Sequence, residues 1–167
     1  MTDLAVIILQ KNEKLHIRRC LERLAPLAPR QIFVVDCHST DGSDKIAAEM
    51  GATVVYHDWP GLHAKQFNWA LDHLPLAATW ILRLDADEYL YPETCEEVKK
   101  LVADGGLPPD VTSLSLSLSR AFFADARSAS AARRTFPWCA SSSAASDAAK
   151  TGRWTSTSSR PRDATGG

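Results

Sequence analysis

The chain has 167 residues, room for one domain with a real core and too few for two comfortable ones. Its formal net charge of −1 excludes the basic excess of a nucleic-acid binder and the acidic block of a solvating tail. No apolar run is long enough to form a transmembrane segment, and none of the four cysteines forms a C-x-x-C pair, so a cytoplasmic chain with unpaired thiols is expected.

Met1-Thr2-Asp3 lacks the basic region of a signal peptide, and residues 4–9, all apolar, read as a first strand buried on both faces. Leu15, Ile17, Cys20, Leu21 and Leu24 recur at helical spacing, and Pro26 and Pro29 close that helix. Residues 32–35 form a second buried strand. A polar loop follows, then a helix from about 44 to 50 with Gly51 as its C-cap. Ser43 or Asp44 is expected to cap the start of this helix. Residues 53–56 make a third strand, 61–74 contain a helix, and 80–84 make a fourth strand ending at Asp85-Ala86-Asp87-Glu88. A helix over 92–103 begins with Pro92 and carries acids in its first turns.

This alternation predicts an α/β fold with a mostly parallel sheet, whose ligands sit at the carboxyl ends of the strands. Those ends carry Asn12 and Glu13, Asp36, and Asp85 and Asp87. The two carboxylates of Asp85-Ala86-Asp87 can face one hard cation, Mg²⁺ or Mn²⁺, which in turn bridges diphosphate oxygens. Asp36 can accept a hydrogen bond from a base N–H. Asn12-Glu13 read alone is an ordinary helix entry, and Lys65 read alone is a solvated helical lysine.

The combination carries more than its parts. Leu9-Gln10-Lys11-Asn12-Glu13, residues 34–43, Lys65-Gln66-Phe67-Asn68-Trp69-Ala70-Leu71 and Leu84-Asp85-Ala86-Asp87-Glu88 resemble family 2 glycosyltransferases, in order and in spacing. The wording is nearest to the bacterial branch acting in lipopolysaccharide biosynthesis, and the resemblance covers about residues 4–110. It implies a GT-A fold and an inverting, hexosyltransferase-type transfer. The donor would be a nucleotide-diphospho-sugar, a UDP-sugar first among them, and the acceptor a glycan or lipid-linked molecule. Carried over by position, Glu13 would lie near the ribose or base and Asp36 would bind the base. Lys65 would sit by the nucleotide, Asp85 would face the ribose or metal, and Asp87 would hold the metal. The chain departs from plainer members at Gln10-Lys11, which leaves the nucleotide open. With lipid-linked acceptors, a place at the inner membrane face is also expected.

The text changes after about residue 112. Beyond Leu118 there is no Leu, Ile, Val or Met, and Ser, Ala, Arg and Thr dominate. Such a segment buries too little apolar surface to offset chain entropy. Two regions are therefore expected: an incomplete donor-binding domain over 1–112 and a low-complexity, disordered tail over 113–167. A shifted reading frame from Trp138 to Ser158 forces Val and Asp at its tryptophan codons. It also permits Arg-Leu-Phe, Glu-Asp and Glu-His-Leu segments resembling the family's acceptor half. The tail thus reads as out-of-frame translation, with a real low-complexity tail as the rival. The general base belongs to that acceptor half, so the chain as written is expected to bind donor and not to transfer. Alternatives are a nucleotide-sugar-binding pseudo-enzyme or regulatory module, a nucleotidyltransferase (no glycine follows the first strand) and a haloacid-dehalogenase-type phosphatase (its D-x-D follows the first strand, not the fourth).

Overall fold

A computed structural model of the chain describes residues 1–103, Leu116 and, as backbone alone, four short strands further on. The elements alternate as β1 (Thr2–Gln10), α1 (Ile17–Leu24), β2 (Pro29–Asp36), α2 (Ser43–Glu49), β3 (Thr53–Tyr56), α3 (His63–His73), β4 (Trp80–Asp85) and α4 (Pro92–Val102). The short strands are β5 (Ser113–Leu114), β6 (Leu118–Ser119), β7 (Arg133–Arg134) and β8 (Ala140–Ser142). The rest of the 113–167 region, with its low-complexity and frameshift readings, lies outside the described residues.

The sheet runs β3-β2-β1-β4, all parallel, and continues through antiparallel β8 to β5. This is the expected α/β architecture. Leu4 through Gln10 are all buried, because β1 is central and covered on both faces. Side chains alternate across the pleat. Leu4, Val6 and Ile8 join Ile17 and Leu24 of α1, Ala47 of α2 and Cys95 of α4 in one core. Ile7 and Leu9 join Phe67 and Ala70 of α3 in the other.

Local details depart from the sequence reading. Leu15 is 87% exposed and precedes α1, because the amides of His16 and Ile17 both bond the Glu13 carbonyl and turn the chain there. After α1, Ala25–Leu27 form a 3₁₀ turn containing Pro26. β2 then starts at Pro29, paired with Thr2, where a strand tolerates proline at its first residue. Met50 is the C-cap of α2, and Gly51, at φ +87°, follows it and turns the chain: its N–H bonds the Ala48 carbonyl and that of Ala52 the Ala47 carbonyl. The start of α2 differs. Gly42 is its N-cap, and neither Ser43 nor Asp44 caps it; instead the Asp41 carboxylate accepts from Ser43 N at 3.0 Å and Ser43 Oγ at 2.6 Å. Cys20, Cys37 and Cys95 are free and buried.

Candidate functional site

Parallel strands end on the same side, and their register decides which terminal residues are neighbours. Gln10 is in register with Asp36 on one side of β1, and Leu9 with Asp85 on the other. The ladder continues one step beyond the strands: Cys37 N bonds Gln10 O, Ala86 N bonds Leu9 O, and His57 N bonds Asp36 O, each at 3.0 Å. The loops carrying the polar clusters therefore leave the sheet from fixed points.

Between them lies a cavity of about 430 Å³. β1 and the loop after it contribute Leu9, Gln10, Lys11 and Glu13, and the end of β2 contributes Cys37. Asp85, Ala86 and Asp87 close the β4 side, and Trp59, His63 and Gln66 the α3 side. Three of the five residues singled out from sequence, Glu13, Asp85 and Asp87, thus share one wall system. Asp36 and Lys65 do not line it. Asp36 is fully buried, accepting from Gln10 Nε2 and Ser39 N, each at 2.6 Å. Lys65 is exposed on α3 between the lining residues His63 and Gln66.

The loops after β1 and β2 are laced together. Asn12 adopts φ +55°, a left-handed conformation that asparagine tolerates. Its N–H donates to Ser39 Oγ and its Oδ1 accepts from Thr40 N, both at 2.8 Å. The Lys14 amide donates to Asp41 Oδ2 at 2.9 Å, and Lys11 Nζ donates to the carbonyls of Cys37 and His38. Asn12 is therefore a staple between loops and not the helix entry read from sequence. Glu13 is half-buried, with Oε2 2.7 Å from His16 Nδ1.

The acidic turn after β4 is built reciprocally. Asp85 N donates to Glu88 Oε2 and Glu88 N to Asp85 O, both at 2.9 Å. Arg83 Nη2 holds Asp85 Oδ1 at 2.8 Å, while Asp87 is exposed. Burial pushes the Glu88 carboxyl up to about 7, and the charges of Asp85 and Asp87 push the same way. Among the described residues no group of three or more His, Cys, Asp or Glu side chains is gathered for a metal. Two carboxylates at a cavity rim still suit Mg²⁺ or Mn²⁺, which take one or two from protein and complete their shells with water and substrate phosphates.

Sequence reasoning passed over Trp59 and gave no role to His63 or Gln66. Trp59 and His63 meet edge to face, with centroids 4.8 Å apart. Gln66 is fully buried, linking His57 Nδ1 (2.7 Å) to Cys37 Sγ (3.2 Å). The available signal was weak: an aromatic before Pro60-Gly61 in the loop after β3, and a glutamine on the apolar side of a helix. Among the described residues no helix is long and apolar enough to cross a membrane.

Known proteins share this fold and parts of this sequence. An uncharacterized glycosyltransferase of Rickettsia felis is 33% identical over 104 residues, covering 62% of this chain and 35% of that protein. One of Rickettsia bellii is 34% identical over 101 residues, covering 60% and 33%. The chain therefore spans about a third of the length of these curated relatives. Among solved structures, mannosyl-3-phosphoglycerate synthase from Rubrobacter xylanophilus superposes with a TM-score of 0.54 at 22% identity, over 67% of this chain and 38% of that one. Glucosyl-3-phosphoglycerate synthase from Mycobacterium tuberculosis, in complex with UDP, gives 0.54 at 20% identity, over 67% and 43%. The same enzyme with Mn²⁺, UDP and glucosyl-3-phosphoglycerate gives 0.52 at 18% identity, over 67% and 42%. At these identities the likeness is one of fold. The model of the family "Glycosyl transferase family 2" matches residues 5–107, and the chain belongs to that family.

Proposed function

We propose that this chain binds a nucleotide-diphospho-sugar, a UDP-sugar first among them, together with Mg²⁺ or Mn²⁺. The observation that carries the reading is the cavity whose β4 side is closed by Asp85 and Asp87 while Glu13, Gln10 and Cys37 wall it at the neighbouring strand ends. Asp87 and Asp85 would hold the metal, which when bound neutralises a departing diphosphate. Glu13 would serve the ribose end; Asp36, buried behind the cavity wall, would act at the base end, and Lys65, exposed on α3 beside the lining residue Gln66, would sit by the nucleotide. The UDP and Mn²⁺ named for a structural neighbour support this choice of donor and ion.

The family reading extends to an inverting transfer onto a glycan or lipid-linked acceptor, of the kind used in lipopolysaccharide biosynthesis, at the inner membrane face. For this chain we propose donor binding without transfer, because the tail composition and its shifted frame point to a lost acceptor half. Calorimetric titration of the 167-residue chain with UDP, with and without Mn²⁺, tests the first part; saturable binding strengthened by the metal is expected, and no binding in either condition refutes it. A sensitive assay of donor hydrolysis and transfer tests the second, and turnover refutes it. Sequencing the gene across codons 105–167 separates the two accounts of the tail. A neighbouring frame carrying Arg-Leu-Phe, Glu-Asp and Glu-His-Leu supports a lesion, and its absence favours a genuine binding module.

A further inference from the structure

A basic and partly apolar surface lies outside the donor cavity, on α1 and the turn that leads into it. Residues 14–23 carry Lys14, Arg18, Arg19 and Arg23 against a single acid, Glu22. The whole chain has a net charge of −1, so everything outside this segment is net acidic. All four basic side chains are exposed, and none lines the cavity. Among the described residues no acid forms an ion pair with any of them.

The turn at Glu13 organises this surface. Ile17 N bonds Glu13 O and Cys20 N bonds His16 O, so helical bonding reaches back one turn before α1. Leu15, Arg19 and Arg23 then follow at four-residue spacing along one side. Arg19 Cζ lies 4.5 Å and Arg23 Cζ 5.8 Å from the centroid of the Tyr89 ring. Two guanidinium groups one turn apart repel each other, and the one ring they share offsets only part of that. Tyr91, half exposed, meets Tyr89 edge to face with centroids 5.6 Å apart. Leu15 stands in solvent one turn before Arg19.

Phosphate oxygens between the arginines relieve their repulsion. The neighbouring leucine and tyrosine decide where those phosphates come from. A soluble phosphate makes no use of an exposed Leu15 or Tyr91. A bilayer uses both: the basic groups meet anionic headgroups, the leucine enters the acyl boundary, and the tyrosine sits at the interface. We infer that the face formed by Leu15, Arg18, Arg19, Arg23 and Tyr91 docks on a bilayer bearing anionic phospholipid headgroups. The inference rests on the place at a membrane face proposed above and names the surface that makes the contact; donor binding is not involved in it.

Cosedimentation of the 167-residue chain with vesicles provides the test, using phosphatidylcholine alone and an equal mixture with phosphatidylglycerol. Binding is expected to the mixed vesicles only, and to weaken as salt is raised. Arg19→Ala and Arg23→Ala should each weaken it by about fivefold, the scale of one basic side chain at an anionic surface. Leu15→Ser should weaken it by about fivefold through loss of the inserted apolar group. Arg19→Lys keeps the charge and should keep the binding. These side chains are exposed, so melting temperatures equal to that of the parent are expected and show that the variants fold. Equal binding to both vesicles overturns the role of charge. Displacement by inorganic phosphate, beyond that by chloride at matched ionic strength, overturns the lipid in favour of a soluble-phosphate site. Parent-level binding in the Arg19→Ala, Arg23→Ala double variant overturns this surface and leaves the membrane location standing; no binding of the parent chain to either vesicle overturns both.

Discussion

Arg83 and Asp85, two residues apart on β4, are joined by a 2.8 Å ion pair that leaves Asp87 as the exposed member of the acidic pair. The arginine orients Asp85 and offsets its charge, while no described residue forms an ion pair with Asp87. Metal binding should therefore depend most on Asp87 and indirectly on Arg83. Asp87→Asn is expected to abolish Mn²⁺-dependent strengthening of UDP binding. Arg83→Met should weaken Mn²⁺ by about tenfold, the usual scale for removing a group that orients a ligand. Mn²⁺ titration in the presence of UDP measures both, and an unchanged Asp87→Asn would remove Asp87 from the metal site.

Asn12 holds two loops together from a left-handed backbone conformation. Asn12→Ala loses the side-chain bond to Thr40 and strains the backbone, and should cost about 1–3 kcal/mol. Asn12→Gly keeps the conformation and loses only the bond, so it should cost less. Urea denaturation of the two variants decides it; equal losses would mean that the conformation contributes nothing.

Glu88 sets a pH dependence. Its carboxyl, ordinarily at 4.5, is pushed up to about 7, first by burial. A carboxyl raised in the folded chain binds its proton more tightly there than when unfolded. The stability it contributes is full below its ordinary value and is lost as the pH rises through about 7. Glu88→Gln keeps a carbonyl to accept the Asp85 N–H and removes the titration. The melting temperature of the parent chain should fall more than that of the variant between about pH 5 and pH 8. Parallel profiles would show that Glu88 does not titrate in this range.

Cys20 is 1% exposed, and burial, with the nearby acids adding to it, pushes its thiol up to about 12. The thiolate is the reactive form. Iodoacetamide at about pH 8 should leave the Cys20 peptide unmodified in the native chain and alkylate it in denaturant, as read by mass spectrometry. Rapid native labelling would mean that the α1 face of the core opens readily.

Much of this arrangement was legible from residues alone. An uninterrupted apolar run from Leu4 to Leu9 has the composition of a strand covered on both faces, and β1 is the central strand. Acids following apolar runs placed Asp85 and Asp87 at a strand's carboxyl end, since chain polarity and strand length follow from the text. Gly51 marked the end of α2 because its left-handed conformation suits glycine.

Side-chain partnership was decided elsewhere. Asp36 and Gln10 are 26 residues apart, and only the register of β1 on β2 sets them side by side and buries one beneath the other. The turn at Glu13 leaves Leu15 in solvent despite its helical spacing. Trp59 reaches the cavity because β3 lies beside β2 and its following loop folds back over the strand ends. Periodicity and composition are local, so they determined the order and polarity of the elements. Which polar atoms are satisfied and which face the cavity depends on contacts between distant segments, and those exist only once the sheet has assembled.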